Sequence, residues 1–433
     1  MENVEVMEKP VLKVGIEDRV EPARAVVFGL QHVLAMFGAT VTVPLVVGGA
    51  VGLSGDQIAT MIQAVLLAMG IATLLQTILG TRYPIVQGSS FAFIPGLISI
   101  GSSIGMAAVQ GALIVGGFVE AALGWLGIIG KIRKLFTPLV TGVTITLIGF
   151  SLANVALMNF FNAYSDPAGT NVGKAVIVAT VTFLTTVFVA LRAGGTLKAM
   201  PVVVGAVVGY LISIPLGLTN FGLVEELPPV SLPKLFPWGE PIFDVSAVVI
   251  LLFAFMVSII ESVGDYHAIA TITGAEITEK HIGRGIGAEG LACSIAGVLG
   301  ACGTTSYSEN IGVVALTKVG SRHVVQVGAL ILIFLSLLPK FAGVLASMPA
   351  PVLGGLTLAL YGMISVTGLR LIKERVDFTD RNVLILAAAL IAGLGAPQLP
   401  AELLEHLPRL ISSILESGMA VGALTAIILE RIL

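Results

Sequence analysis

Charge is scarce in this chain. Only 11% of its 433 residues are Asp, Glu, Lys or Arg, whereas soluble globular proteins carry about 25%. Ten charged residues lie in the first 24 positions, and between Arg24 and Lys131 the only others are Asp56, Arg82 and Glu120. Uncharged stretches of this length exclude a soluble globular fold. Together with 56% hydrophobic residues, they indicate a membrane protein with several spans.

Signals of several other protein classes are also missing. Cysteine occurs only at Cys293 and Cys302, in apolar surroundings and without ligand spacing, so buried free thiols are expected rather than a disulfide or a metal site. The first 24 residues contain no apolar run of the kind that a cleaved signal peptide requires. No Ser/His/Asp, metal-binding or phosphate-loop pattern is present. We therefore expect no enzymatic activity, no cofactor and no nucleic-acid partner.

Apolar segments long enough to cross a bilayer, about 17–25 residues each, follow one another along the chain. They predict an all-α polytopic membrane protein with about fourteen spans. The expected spans, in chain order, are 25–49, 57–79, 84–103, 107–129, 135–157, 174–192, 200–218, 246–270, 284–302, 304–318, 323–346, 350–371, 382–397 and 408–429.

The distribution of basic residues predicts the orientation of these spans. With the N-terminus in the cytoplasm, fourteen Lys and Arg residues fall in or beside the inner loops, and only Lys174, Lys234, Lys340 and Arg409 fall on the other side. Such an asymmetry follows the positive-inside rule. We expect a multi-pass protein of the cell membrane with both termini in the cytoplasm and the lipid bilayer as its surroundings.

Two segments do not have the pattern of ordinary spanning helices. Residues 84–95 begin and end with proline, residues 303–312 are rich in Gly, Ser and Thr, and both alternate small polar with apolar residues. Irregular backbone is tolerated at membrane depth only where protein or a cavity covers it. Broken segments in corresponding halves are typical of transporters built from an inverted repeat. Two glycine- and serine-rich packing helices are the alternative interpretation.

Acidic residues within these apolar segments are the first candidates for a functional site, because a carboxylate at bilayer depth is costly. Glu261 and Asp265 are four residues apart and would share one face of a helix. Two carboxyls so close cannot both ionise cheaply, so one is expected to hold a proton. Asp265 either carries that proton or only accepts structural hydrogen bonds. Glu289 is a further intramembrane acid that could belong to the same polar network.

Glu309 is expected at the start of a half-helix that runs from Asn310 toward Lys318. The N-terminal end of a helix offers unpaired backbone N–H groups, so donors and a carboxylate acceptor would lie side by side. A planar ring with alternating N–H and C=O groups matches that arrangement, and Phe91 in the other broken segment could stack on such a ring. The alternative for Glu309 is a plain helix cap, and the alternative for Phe91 is a residue that only packs. For His32 an interhelical hydrogen bond is favoured over a proton relay.

Several of these residues lie in stretches that resemble the nucleobase–ascorbate transporter family. The run from Glu309 to Lys318 fits the family signature, in which Gln, Glu or Pro precedes Asn-x-Gly, four residues, and Thr followed by Lys, Arg or Gly. The stretches that begin at Gln31 and Gly88 resemble the first and third spans of bacterial uracil permeases. Similarity continues through residues 351–355 and 360–362, so it covers nearly the whole chain and is weakest over 159–245.

The resemblance implies a seven-plus-seven inverted repeat with short antiparallel strands in spans 3 and 10. After a cytoplasmic segment, 1–24, a core domain would comprise 25–130 and 246–347, and a gate domain 131–245 and 348–433. Glu261 and Glu309 would accept hydrogen bonds from a nucleobase, and Phe91, Ala39 and Ser308 would line the pocket. Asp265, Glu289, Asn310 and His32 would belong to proton coupling or to the surrounding network. The resemblance also implies coupling to a proton and a possible homodimer through the gate domain.

The substrate that the resemblance implies remains open between pyrimidines and purines. Asp265 and Ser308 stand where uracil permeases have His and Gly, whereas Glu309 is similar to uracil permeases and many xanthine and urate carriers have Gln there. The leading expectation is proton-coupled uptake of a neutral nucleobase by alternating access, uracil first and xanthine second. Two acids in the pocket would repel an anion, which argues against ascorbate or another anion. Their clustering at one depth argues against a passive channel.

Overall fold

The computed structural model describes residues 12–129, 137–163, 166–404 and 406–433. The basic loop at 131–134 and the first eleven residues, which we expect in the cytoplasm, lie outside this range. The described elements are mainly helices. In chain order they are α1 (Pro22–Ala50), α2 (Gly55–Ile78), β1 (Gln87–Ser89), α3 (Ile94–Ser103), α4 (Met106–Trp125), α5 (Pro138–Ser151), α6 (Ala153–Phe160), α7 (Val172–Arg192), α8 (Pro201–Ser213), α9 (Gly222–Glu226), α10 (Val245–Thr273), α11 (Glu279–Leu299), β2 (Thr304–Ser306), α12 (Ser308–Thr317), α13 (Arg322–Ser336), α14 (Pro339–Ala346), α15 (Ala350–Arg375), α16 (Asp380–Gly395), α17 (Ala401–Leu404), α18 (Arg409–Glu416) and α19 (Gly418–Ile432).

Within the described ranges, nine helical segments are long and apolar enough to cross a membrane, or ten if one bent pair counts as a single span. Four further expected spans are built from shorter pieces: α3 with its preceding 3₁₀ turn, α8, α12, and the pair of α18 and α19. The total of fourteen spans stays a prediction.

Two expected spans are not the continuous helices that their hydropathy suggested. The segment 323–346 bends by 84° between α13 and α14, because Pro339 cannot donate a backbone hydrogen bond and instead opens a new helix. The segment 408–429 breaks at Ser417, whose side chain accepts a hydrogen bond from the Ala420 backbone N–H and so caps α19. Hydropathy detects apolar length but not these local changes of direction.

The two broken segments meet as a two-stranded antiparallel sheet. Gln87 pairs with Ser306 and Ser89 with Thr304, and every residue of both strands is buried. Gly88 is required at the centre of β1, because a Cβ atom there would lie 2.4 Å from the Tyr307 ring. Beyond each strand the chain turns into a half-helix. Extended backbone is thus enclosed by protein at this depth, as a bilayer demands.

The long helices pack in two groups. In the first group, α11 lies against α4 and α2, α13 lies against α2 and α1, and α10 borders the strands. In the second, α15 packs on α5, α6 and α7, while α16 and α19 pack on each other and on α5. The division of the chain into core and gate domains stays a prediction.

Residues 12–20 form what we call the N-terminal strap, which lies along the loop between α12 and α13. The backbone N–H of Lys13 donates to the Lys318 carbonyl at 2.8 Å, and the Gly320 N–H donates to the Val14 carbonyl at 2.9 Å. Glu17 receives hydrogen bonds from two guanidinium nitrogens of Arg322 at 2.7 and 2.9 Å. The strap therefore ties the N-terminal segment to the end of the half-helix that begins at Ser308.

Candidate functional site

A cavity of about 490 Å³ lies between the strands and the second group of helices. One wall consists of the half-helix starts that follow the strands together with the middle of α10. The opposite wall is apolar except for one hydroxyl and consists of Ile145, Ile148, Leu360, Met363, Ile364 and Thr367. The cavity thus has a polar, acid-bearing face and a mainly apolar face, a combination that suits a flat heteroaromatic ligand.

Three acids converge on the polar face. Glu261 and Asp265 lie one turn apart on α10 and both line the cavity, as their spacing predicted, and Glu309 enters from the first turn of α12. Glu261 and Glu309 are exposed to the cavity, whereas Asp265 is half-buried. Carboxylates that remain accessible at this depth are free to accept hydrogen bonds from a ligand.

The start of α12 adds donors beside these acceptors. The helix begins at Ser308, and Tyr307 before it provides no side-chain cap. The first N–H groups of a helix have no partner within the helix, so the first turn presents backbone donors next to the carboxylate of Glu309. Ser308 is exposed to the cavity and lines it. The half-helix expected from Asn310 toward Lys318 therefore exists and begins two residues earlier.

The two phenylalanines of the first broken segment have different surroundings. Phe91 is half-buried, lines the cavity, and meets Tyr361 edge-to-face with ring centroids 6.2 Å apart. Phe93 is fully buried and packs at right angles on Phe255. Only Phe91 is therefore placed where it could contact a ligand. Ala39, which the resemblance assigned to the pocket, is buried within α1 and is not among the residues that line this cavity.

Glu289 lies behind β2, away from the cavity, and is 1% exposed. Its carboxylate accepts hydrogen bonds from the hydroxyls of Ser258 at 2.8 Å and Ser262 at 2.6 Å. Tyr266 donates to it at 3.2 Å, and Ser306 of β2 donates at 3.3 Å. These four hydroxyl groups hold the Glu289 carboxyl group in place and link α10, α11 and the strand.

His32 and Asn310 form a direct link between α1 and α12. The Asn310 Nδ2 donates to the His32 carbonyl at 2.9 Å and lies 3.2 Å from the His32 Nδ1, and both residues are buried. The structure thus places His32 in an interhelical hydrogen bond, the interpretation that the sequence favoured. Neither residue lines the cavity, so the pair positions the half-helix that carries Glu309.

Sequence analysis missed several polar groups of this region. Tyr307 lines the cavity and donates to the Ser89 carbonyl at 2.7 Å, which locks the two strands together. Gln76 donates to the Tyr266 hydroxyl at 2.6 Å, so it extends the network around Glu289. Glu120 is 1% exposed on α4. The same criterion that singled out Glu289, an acid inside an apolar span, would have found Glu120.

Within the described part of the chain, no group of three or more His, Cys, Asp or Glu side chains could hold a metal ion. Cys293 and Cys302 are free and buried, which confirms the expectation for both thiols. The functional groups available here are therefore carboxylates, hydroxyls, backbone amides and one aromatic face.

Comparisons with known proteins find relatives along nearly the whole chain. The model of the Permease family matches residues 23–402. The uric acid permease PucK of Bacillus subtilis is 35% identical and aligns with 93% of this chain and 94% of its own length. The xanthine permease of the same organism is 31% identical over 93% of this chain and 92% of its own.

Among solved structures, the transmembrane domain of the cyanobacterial bicarbonate transporter BicA covers 93% of this chain with a TM-score of 0.63. All of that domain is matched, at 17% sequence identity. At this identity the match concerns the fold alone. It confirms the expected fold class, a mainly helical polytopic membrane protein.

Proposed function

This chain belongs to the permease family of nucleobase–ascorbate transporters, and on that premise we propose that it takes up a nucleobase together with a proton by alternating access. It is a transporter and not an enzyme. The observation that carries the proposal is the convergence of Glu261 and Glu309 on one cavity at the start of a half-helix. These carboxylates would accept hydrogen bonds from ring N–H groups, and the backbone amides of the first turn would donate to ring carbonyls.

The proposed substrate is a nucleobase, and both purines and uracil are candidates. Relatives aligned over more than nine-tenths of this chain are named for uric acid and xanthine, which supports testing purines first. The carboxylate of Glu309 supports keeping uracil as a candidate, as the sequence suggested. The acids on the polar face of the cavity would repel a substrate anion, so urate, which is anionic at neutral pH, would have to enter together with a proton, and ascorbate is the less favoured substrate.

We propose that both termini lie on the cytoplasmic side of the cell membrane, because the basic residues of the expected inner loops follow the positive-inside rule. From the strands, the cavity then extends past Asp265 on α10 and Thr367 on α15, toward the cytoplasmic helix ends. A second cavity, of about 480 Å³, lies between the helix groups on the other side of the strands, where the Ser99 hydroxyl of α3 donates to Glu416 of α18 at 3.2 Å. We treat the two helix groups as core and gate.

Proton coupling would use one of three acids: Glu261, which is exposed to the cavity, Asp265, which is half-buried, or Glu289, which is buried. A bound proton would neutralise one charge before the two helix groups close over the substrate, which lowers the cost of desolvation. Because binding linkage is reciprocal, the substrate would tighten proton binding by the same factor.

A homodimer through the gate is the partner arrangement that we propose. In the most apolar stretch of each helix, only 33% of the α7 residues and 22% of the α16 residues are buried. These are the two lowest shares among the nine long spans of the described residues. Large apolar side chains such as Leu184 and Phe188 of α7 and Ile391 of α16 are exposed. These surfaces face lipid or a second copy of the chain.

Uptake of radiolabelled xanthine, uric acid and uracil into proteoliposomes, with and without an inward proton gradient, tests the proposed function. We expect one of the three bases to accumulate only when the gradient is present. Equal uptake in both conditions would remove proton coupling, and uptake of none of the three would contradict the assignment of the cavity.

A further inference from the structure

We propose that Glu120 and Glu289 form a buried proton-binding site behind the strands, in which Glu120 is the neutral acid and Glu289 the carboxylate. That a proton occupies this site is inferred from the packing and charge of the described residues. Its link to uptake rests on the proposed function.

The packing of α4 on α11 encloses Glu120. The two helices approach so closely that a Cβ atom on Gly117 would lie 2.5 Å from the Gly290 carbonyl oxygen, and one on Gly124 would lie 2.4 Å from the Gly287 nitrogen. Glu120 lies between these two contacts along α4. Neither of its carboxyl oxygens has a hydrogen-bond partner among the described residues, and the residue is 1% exposed.

Glu120 comes three residues after Gly117 and four before Gly124, so it shares the face of α4 that packs against α11. The titratable groups that interact electrostatically with it are Glu289 and Cys293 of α11 and Tyr266 of α10. No Lys, Arg or His side chain of the described residues forms an ion pair with either acid. Two ionised carboxylates that interact in a buried interface without a cation repel each other, and the Glu120 charge would also lack any hydrogen-bond donor among the described residues. One proton shared by the pair removes that conflict.

The hydrogen-bond donors decide which acid keeps the proton. Glu289 receives four hydroxyl donors, from Ser258, Ser262, Tyr266 and Ser306. Such donors stabilise the ionised form of a carboxyl, whereas Glu120 receives none in the described structure. The proton therefore belongs on Glu120, and the negative charge on Glu289.

The site is linked to the substrate cavity through β2. Ser306 donates its hydroxyl to Glu289, and its backbone N–H donates to the Ser262 hydroxyl at 3.1 Å. Ser308 and Glu309 follow directly on the same strand-to-helix segment. Transfer of the proton from Glu120 to Glu289 would weaken the hydrogen bonds that hold Ser306, so the protonation state of the pair would be transmitted to the start of α12.

Infrared difference spectroscopy of the purified protein tests where the proton resides without requiring transport. We expect the wild-type minus Glu120→Gln spectrum at neutral pH to contain the carbonyl band of one protonated carboxylic acid. Glu289→Gln should retain a protonated-acid band, and Cys302→Ala, a buried residue outside the pair, should leave the spectrum unchanged. Loss of the band in Glu289→Gln but not in Glu120→Gln would overturn the assignment.

The same variants test the link to uptake. We expect Glu120→Gln to lower the gradient-driven accumulation ratio at least tenfold and to flatten its dependence on external pH, while Cys302→Ala accumulates substrate normally. An unchanged ratio and pH profile in Glu120→Gln would overturn the link, whatever the spectra show. If the wild-type protein transports no base that is tested, the proposed function fails, but the spectra still decide the proton site.

A monovalent metal ion is the competing occupant of the same oxygen-rich site. A melting temperature that rises with sodium concentration in the wild type and not in Glu120→Gln, in the absence of a protonated-acid band, would contradict the proton assignment. A melting temperature that is independent of sodium, with the band present, supports it.

Discussion

Strand β2 separates two groups of acids that differ in their surroundings. On the cavity side, Glu261 and Glu309 are exposed and lie opposite an apolar wall. On the far side, Glu289 and Glu120 are almost completely buried, and Glu289 is held by four hydroxyl donors. The first pair has free acceptor capacity for a ligand. Glu289 has none to offer and instead stabilises the strand, whereas Glu120 is enclosed by the packing of α4 on α11 and cannot reach a ligand in the cavity. Acids in one membrane protein can thus have different roles according to their surroundings and to what already occupies their oxygens.

The largest effect is expected from Glu309→Ala, which removes an acceptor from the cavity side. A ring N–H left without a partner costs about 1–3 kcal/mol or more, so we expect loss of measurable nucleobase binding in a scintillation proximity assay. Glu226→Ala, an exposed acid on α9, should bind normally. Near-normal affinity of Glu309→Ala would remove this residue from the binding site.

A smaller effect, on stability instead of binding, is expected from Ser262→Ala on the far side of the strand. This hydroxyl donates to Glu289 and accepts from the Ser306 N–H, and its loss leaves a buried N–H unpaired at a cost of about 1–3 kcal/mol. Thermal unfolding in detergent should show a lower melting temperature. Thr367→Ala removes a hydroxyl that bonds only within its own helix and should change stability by less than about 0.5 kcal/mol.

Phe91→Ala should produce a moderate loss of affinity. Aromatic stacking contributes about 0.5–1.5 kcal/mol, which corresponds to a reduction of about two- to thirteenfold in substrate binding. Phe91→Tyr keeps the ring and should bind within about twofold of the wild type in the scintillation proximity assay used for Glu309→Ala. If both variants bind equally well, the ring does not contact the substrate.

The smallest effect concerns Glu17 of the N-terminal strap, an acid in water. The guanidinium of Arg322 holds the pKa of the Glu17 carboxyl below its ordinary value. A lowered pKa in the folded state contributes stability above the ordinary carboxyl pKa of about 4.3, and this contribution is lost as pH falls through the lowered value.

Because the Glu17 side chain is 59% exposed, solvent screening limits its contribution to about 0–1 kcal/mol. We expect Glu17→Gln to melt slightly below the wild type at pH 7. The difference should shrink as pH falls from the ordinary carboxyl value through the lowered pKa of Glu17, and a difference that does not change with pH would contradict the ionic account of this contact.

The cavity-side acids were predictable from sequence because their positions depend on local structure. The four-residue spacing of Glu261 and Asp265 determines a common helix face, and the breaks near Pro84 and Gly303 mark the two strands. Pairing of Glu120 with Glu289 was not predictable, because it depends on how α4 packs on α11, far apart in the chain. The bend before Pro339 was missed because hydropathy averages over such a turn.

The most direct test of the central claim combines Glu309→Gln with a nucleobase that is methylated at one ring nitrogen, chosen from the base that the uptake assay identifies. The claim is that Glu309 accepts a hydrogen bond from a ring N–H. Methylation at the nitrogen that faces Glu309 should reduce wild-type affinity at least tenfold, and should reduce the affinity of Glu309→Gln much less, with a coupling energy of about 0.5–3 kcal/mol between the two changes. Equal losses in both proteins at every ring nitrogen would contradict the claim.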